Sequence, residues 1–143
     1  MNLKAPKNVS FECQRCAMCC GDTSRRGRNI LLLESEVENI AKRTGVKPIF
    51  FSTPIPATGP YRYKMKKKNG KCVFLDEKAC KIYEFRPLIC SFYPFSVTAK
   101  NGSYLFDVCD ECPGVGLGNI VSENQFKLMV EKALKTWNGR SKM

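Results

Sequence analysis

Cys13-Gln14-Arg15-Cys16-Ala17-Met18-Cys19-Cys20-Gly21 places four thiols within eight residues, a density that marks a metal site before anything else. Thiolates spaced by two residues turn inward around one centre while the residues between them point away. Cys13, Cys16 and Cys19 keep that spacing. Cys20 breaks it, because adjacent side chains diverge, and it is expected to face a second centre or to cross to another part of the same one.

The rest of the composition narrows the chemistry. A chain of 143 residues with 43% hydrophobic residues has the size and character of one globular domain spanning residues 1–143. Nine cysteines stand beside no histidine. That excludes a Cys2His2 zinc site, a histidine-activated nucleophile and a two-histidine facial triad built from this chain. Any metal is held mainly by sulfur, which selects zinc, copper(I) or iron-sulfur clusters over magnesium or calcium. Met1 to Ser10 contains no apolar run that reads as a signal peptide or a membrane span, so the expected location is cytoplasmic, with no membrane partner. In a reducing cytosol, clustered cysteines are metal ligands or catalytic thiols more often than disulfides, and an odd count argues the same way. The net charge of +11 leaves a basic protein even after thiolate ionisation. Such a surface fits nucleic acid or an acidic protein partner, or is simply a solvated lysine face.

Along the chain, Asp22 to Arg28 reads as a polar, cationic loop whose arginines lie close in sequence to the thiols. Asn29–Leu33 suits a short buried strand, and Glu34–Thr44 has helical spacing, with Ser35 and Glu38 as a capping box and Gly45 as the stop. Pro48, Pro54, Pro56 and Pro60 predict an irregular connection with Ile49, Phe50 and Phe51 pinned to the core. Two Asn-Gly pairs predict hairpins, because both positions of a tight type I′ turn need positive φ. The first joins Tyr61–Lys68 to Lys71–Leu75. The second joins Phe95–Lys100 to Ser103–Val108 and pairs Ala99 with Tyr104, Val97 with Phe106 and Phe95 with Val108. Between them lie Cys72, Cys80 and Cys90, with a helical turn expected from Lys78 to Phe85 ahead of Pro87. Cys109 and Cys112 follow the second hairpin. Gly114, Gly116 and Gly118 relax the backbone but lack the strand-turn-helix setting of a dinucleotide fingerprint. A strong helix closes the chain at Glu123–Trp137, with Ser122 and Gln125 at its start, an end near Asn138-Gly139 and one apolar stripe from Phe126 to Trp137.

Three blocks together resemble the CxxCxxCC, or YkgJ-type, cysteine-cluster family, described as a zinc- or iron-chelating domain. They are Cys13-x2-Cys16-x2-Cys19-Cys20-Gly21; Cys72, then Cys80 through Arg86-Pro87 to Cys90, then Tyr93-Pro94; and Cys112-Pro113-Gly114 with Gly116 and Gly118. The resemblance implies metal ligation by Cys13, Cys16, Cys19, Cys20, Cys72, Cys80, Cys90 and Cys112, with Cys109 outside the pattern. It also implies roles beside the metal for Tyr83 and Arg86, the latter bracing the loop that carries Cys80 and Cys90. Members are commonly described as iron-sulfur proteins or oxidoreductases, and some flagellin lysine methylases contain a similar cysteine domain.

Cys-x2-Cys-x2-Cys resembles the first three ligands of bacterial ferredoxins, and Cys112-Pro113 their distal Cys-Pro, which favours a [4Fe-4S] cluster. Cys109-x2-Cys112 keeps zinc in play. The expectation is an α+β domain in which two hairpins and two main helices support cysteine-rich metal-binding loops. Its expected role is electron transfer or redox accessory work with a redox or acidic protein partner. The alternative is a zinc-stabilised module that engages nucleic acid or an acidic partner through the Tyr61–Lys71 hairpin. If the protein is an enzyme, it is an iron-sulfur oxidoreductase or a protein-modifying enzyme, and no residue is singled out as catalytic.

Overall fold

The computed structural model describes residues 2–13, 21–23, 27–77, 79–109 and 111–137. In chain order the elements are β1 (Asn2–Lys4), β2 (Ser10–Phe11), β3 (Leu31–Leu32), α1 (Glu34–Thr44), β4 (Ser52–Thr58), β5 (Tyr61–Met65), β6 (Lys67–Lys68), β7 (Lys71–Cys72), β8 (Leu75–Asp76) and β9 (Ala79–Cys80). After these come α2 (Leu88–Phe92), β10 (Phe95–Lys100), β11 (Ser103–Val108), β12 (Val115–Ile120) and α3 (Glu123–Trp137). The fold is α+β. None of the described helices is long and apolar enough to cross a membrane.

The second Asn-Gly hairpin has the register its alternation dictates, with Ala99 opposite Tyr104, Val97 opposite Phe106 and Phe95 opposite Val108. Strand β1 adds to it in parallel, giving the order β1-β11-β10. Helix α3 packs its stripe on this unit, burying Phe126 among Phe95, Phe106 and Val130. The Phe126 ring lies 5.2 Å from Phe95 and 4.8 Å from Phe106, within the range where edge-on and tilted ring pairs attract. Ser122 and Gln125 form the predicted box: Gln125 N–H donates to Ser122 Oγ at 3.1 Å, and Ser122 N–H donates to Gln125 Oε1 at 2.7 Å. The predicted stop at Asn138-Gly139 lies outside the described residues.

A second core forms where α1 covers a three-stranded sheet of order β3-β5-β4, burying Leu32, Ile40, Phe51 and Met65. Gly45 ends α1 in the left-handed region at φ 75°, as expected. Its start differs from expectation. The helix is capped through Leu33, whose N–H donates to Glu36 Oε1 at 2.9 Å, and not by the Ser35–Glu38 pair. Glu36 is preferred because burial beside α2 gives its second carboxylate oxygen a further donor.

Several other expectations need correcting. Around Asn69-Gly70 the turn forms with both φ angles positive, but its strands are only β6 and β7, two residues each. Tyr61–Met65 pairs with β4 and β3, since its inward Tyr63 and Met65 bury better over α1. The proline-rich connection is strand β4, with a register shift between Pro54 and Thr58 that accommodates a residue lacking N–H. Phe51 is buried, whereas Ile49 and Phe50 are 68% and 65% exposed on the 3-10 turn Pro48–Phe50. The expected helical turn from Lys78 is the hairpin β8–β9, followed by a short 3-10 turn at Tyr83–Phe85. Asn29–Leu33 forms strand only at Leu31–Leu32. The glycines after Cys112 lie around and within β12, which pairs with β2.

Candidate metal centre

Cys72 ends the Asn69-Gly70 hairpin, where it is buried and its Sγ receives the N–H of Phe74 at 3.5 Å. Hydrogen bonds of this kind stabilise a thiolate and tune the potential of a cluster bound to it. The next hairpin sets Leu75 opposite Cys80, and its turn is made by Glu77 at φ 56°. Cys80 and Cys90 pack against the same apolar cluster that contains Cys72, Phe74 and Ile82. Cys90 lies on α2, and α2 is tied to α1 by one carboxylate. Glu36 Oε2 accepts the Leu88 N–H at 2.6 Å while Oε1 accepts that of Leu33. Desolvation holds the Glu36 carboxyl above its ordinary range, against the pull of these two donors and of Lys132.

The second thiol neighbourhood surrounds Tyr93, in the cis-bonded Tyr93–Pro94 pair. Cys109 N–H donates to Pro94 O at 2.8 Å, and Tyr93 Oη donates to Cys109 Sγ at 3.5 Å. Burial, the Cys109 bond and the charges of Cys109 and Cys112 push the tyrosine hydroxyl well above its ordinary range. The Arg28 guanidinium, 4.5 Å above the ring, opposes that only in part. Tyr93 therefore stays protonated and acts as a donor toward sulfur. Cys112 is buried in the adjoining turn.

The described residues on either side of the cysteine stretch sit in these two neighbourhoods. On its amino-terminal side, Glu12 N–H donates to Gly114 O at 3.0 Å, two residues beyond Cys112. A Cβ on Gly114 would collide with the Glu12 carbonyl oxygen, so only glycine allows this approach. On its carboxyl-terminal side, Gly21 bridges to Lys71 beside Cys72, and Asp22 N–H donates to Gly70 O at 2.7 Å. A Cβ on Gly21 would strike Gly70 O and lie 2.8 Å from Lys71 Cα. Glu12, ahead of the thiols, thus lies on the Cys112 side, and Gly21, after them, on the Cys72 side.

Asp22 secures the second of these contacts. Its Oδ1 accepts the Lys67 ammonium at 2.8 Å and the Arg28 N–H at 2.7 Å, and Lys71 Nζ donates to its carbonyl. The Lys67 bond first, then the Arg28 N–H, hold this carboxyl below its usual range. Arg86 donates to Tyr83 O at 2.8 Å and lies 4.1 Å above the Tyr83 ring. This clamps the turn between Cys80 and Cys90.

Among the predicted ligands, Cys13 is exposed at the start of the loop, Cys72 and Cys112 are buried, and Cys80 and Cys90 are half-buried. Cys16, Cys19 and Cys20 lie outside the described residues. No three described His, Cys, Asp or Glu side chains converge closely enough to hold a metal ion. The donor set, all thiol and partly buried, fits a soft metal. Sequence reasoning missed Asp22 and Glu36. The signal for Asp22 was a lone acid directly after Cys-Gly in a cationic loop, whereas nothing local marked Glu36, whose second partner is 52 residues away.

The profile of a family described as "CxxCxxCC: Putative zinc- or iron-chelating domain" matches residues 12–113. The chain belongs to the CxxCxxCC family. Two relatives come from Methanocaldococcus jannaschii. The uncharacterized protein MJ0939 is 32% identical over 120 residues, which cover 80% of this chain and 40% of that protein. The uncharacterized protein MJ0661 is 30% identical over 137 residues, covering 89% of this chain and 70% of its own length. No solved structure matches the chain. Membership of the CxxCxxCC family supports metal binding, with zinc or iron as the metal.

Proposed function

We propose that this protein binds an iron-sulfur cluster, of the [4Fe-4S] type, and serves in electron transfer or as a redox accessory in the cytoplasm. The observation that carries the reading is the anchoring of the cysteine loop, with Glu12 against Gly114 near Cys112 and Gly21 against Gly70 and Lys71 near Cys72. A centre completed by ligands from both sides would staple the amino terminus to the rest of the fold. Cys13, Cys16, Cys19 and Cys20 would supply the loop thiolates, and Cys72, Cys80, Cys90 and Cys112 the others. When bound, the cluster supplies one-electron chemistry. Phe74 N–H would tune that chemistry through Cys72, and the clamp of Arg86 on Tyr83 would position Cys80 and Cys90.

The test is purification without oxygen, followed by metal analysis, acid-labile sulfide and visible absorption. Iron and sulfide in stoichiometric amounts, with charge-transfer absorption, are expected. A colourless, sulfide-free protein carrying zinc would replace the cluster with a zinc module. Cys16→Ser is expected to lose metal and lower Tm, while Cys109→Ser keeps both close to wild type. Equal loss from the two substitutions would make Cys109 a ligand.

A further inference from the structure

The charge of this chain is concentrated in one segment. Between Asn39 and Leu75 there are nine lysines and arginines and no aspartate or glutamate. Within that segment the 3-10 turn Pro48–Phe50 holds Ile49 and Phe50 out into solvent at 68% and 65% exposure. The turn is rigidly built. Phe50 N–H donates to Lys47 O at 3.0 Å, Phe51 N–H to Pro48 O at 3.1 Å, and Ser52 Oγ to Pro48 O at 2.8 Å. Phe51 is buried beneath it in the core.

The cations lie at the same end of the sheet. Lys66 N–H donates to Phe51 O at 2.8 Å, Thr53 pairs with Lys64, and Lys47 caps the turn. Because Met65 points inward, its neighbours Lys64 and Lys66 stay exposed, as do Lys47 and Lys68.

We propose that this tip docks the protein on an anionic membrane surface, with Ile49 and Phe50 entering the interface and the surrounding lysines meeting phosphate headgroups. Basic side chains draw a protein to such a surface, and a small apolar projection holds it there. A projection of this shape inserts between lipids without needing a matching pocket. Nucleic acid fits less well: at this tip Phe50 alone offers a face on which a base stacks, Ile49 offers none, and Tyr63 packs against the core. The sequence-based expectation of no membrane partner came from the absence of long apolar runs, a signal that two adjacent side chains do not reach. The proposal is independent of which metal the thiols hold.

The test is co-sedimentation of the metal-loaded protein with vesicles of phosphatidylcholine and of an equal mixture of phosphatidylcholine and phosphatidylglycerol. Binding is expected only to the mixed vesicles, weakening as salt is raised. Ile49→Ser with Phe50→Ser should lower the affinity about tenfold, the effect of returning the apolar contact to water. Lys64→Gln with Lys66→Gln should lower it further at low salt. Because these side chains are exposed, circular dichroism and metal content should match wild type, so loss of binding reads the surface and not the fold. No binding to the mixed vesicles overturns the proposal, as does equal binding by the Ile49 and Phe50 variant. Tighter, Phe50-dependent binding to single-stranded or duplex DNA would assign the face to nucleic acid and overturn it equally.

Discussion

The unit made by β10, β11 and α3 and the stretch from Lys67 to Cys90 are held together by different means. In the first, six-residue strands pair without interruption and three phenylalanine rings close on one another under a fifteen-residue helix. In the second, each strand is two residues long, each hairpin has two paired positions, and the positions facing the core include thiols. Ladders this short are marginal by themselves. The hairpin and α3 are stabilised by burying hydrocarbon, whereas the cysteine-bearing stretch places thiols within and against the core that it shares with α1. A metal would matter most in the part of the chain whose strand ladders are shortest.

Removing the metal is the largest perturbation of that contrast. A structural metal contributes binding free energy on the order of 10 kcal/mol, which becomes folding free energy when the site is absent from the unfolded chain. Chelation under reducing conditions should therefore abolish amide-exchange protection from Lys67 to Cys90 while the β10–β11 ladder and α3 keep theirs. Uniform loss along the chain would show that the two regions unfold as one unit. Phe126→Ala is the converse test, since this ring is 1% exposed at the centre of the phenylalanine cluster. Its truncation should cost about 3–5 kcal/mol in denaturant unfolding while metal stoichiometry in the folded fraction stays unchanged. A smaller cost accompanied by metal loss would put the metal, not the ring, at the base of that unit.

The smallest effect concerns the tie between α1 and α2. Burial raises the Glu36 pKa above its ordinary 4.5, so the cost of burying its charge is absent below about that pH. The cost grows as pH rises through the folded-state pKa, and stability falls across that window. Glu36→Gln should remove this slope. It should also cost about 1–3 kcal/mol at acid pH, because an amide has only one acceptor for the Leu33 and Leu88 N–H groups. A wild type and variant differing by a constant amount across the pH range would show that Glu36 does not titrate there.

Much of this was legible along the chain because the signals were local. The Asn101-Gly102 turn dictates the register from Phe95 to Val108, Ser122 with Gln125 starts α3, and Gly45 stops α1. The cysteine blocks identify the family without a fold. What escaped depended on distant partners. Tyr61–Met65 had the alternation of a hairpin arm, yet it pairs with β3 and β4 because burying Tyr63 and Met65 over α1 outweighs the nearest turn. The same pressure made a strand of the proline-rich Ser52–Thr58 and left Ile49 and Phe50 outside.

From the sequence alone came the α+β class, two of the helices, one complete hairpin and the cysteine blocks of a chain without histidine, each encoded within a few residues by turn chemistry, periodicity or residue type. The fold alone brought Glu12, ahead of the thiols, against Gly114 and Gly21, after them, against Gly70 and Lys71. It also decided that Glu36 bridges two helices and that Ile49 and Phe50 stand exposed. Those contacts join residues far apart in the chain, and long-range packing and hydrogen-bond satisfaction, which no local pattern encodes, chose among the pairings that local propensity left open.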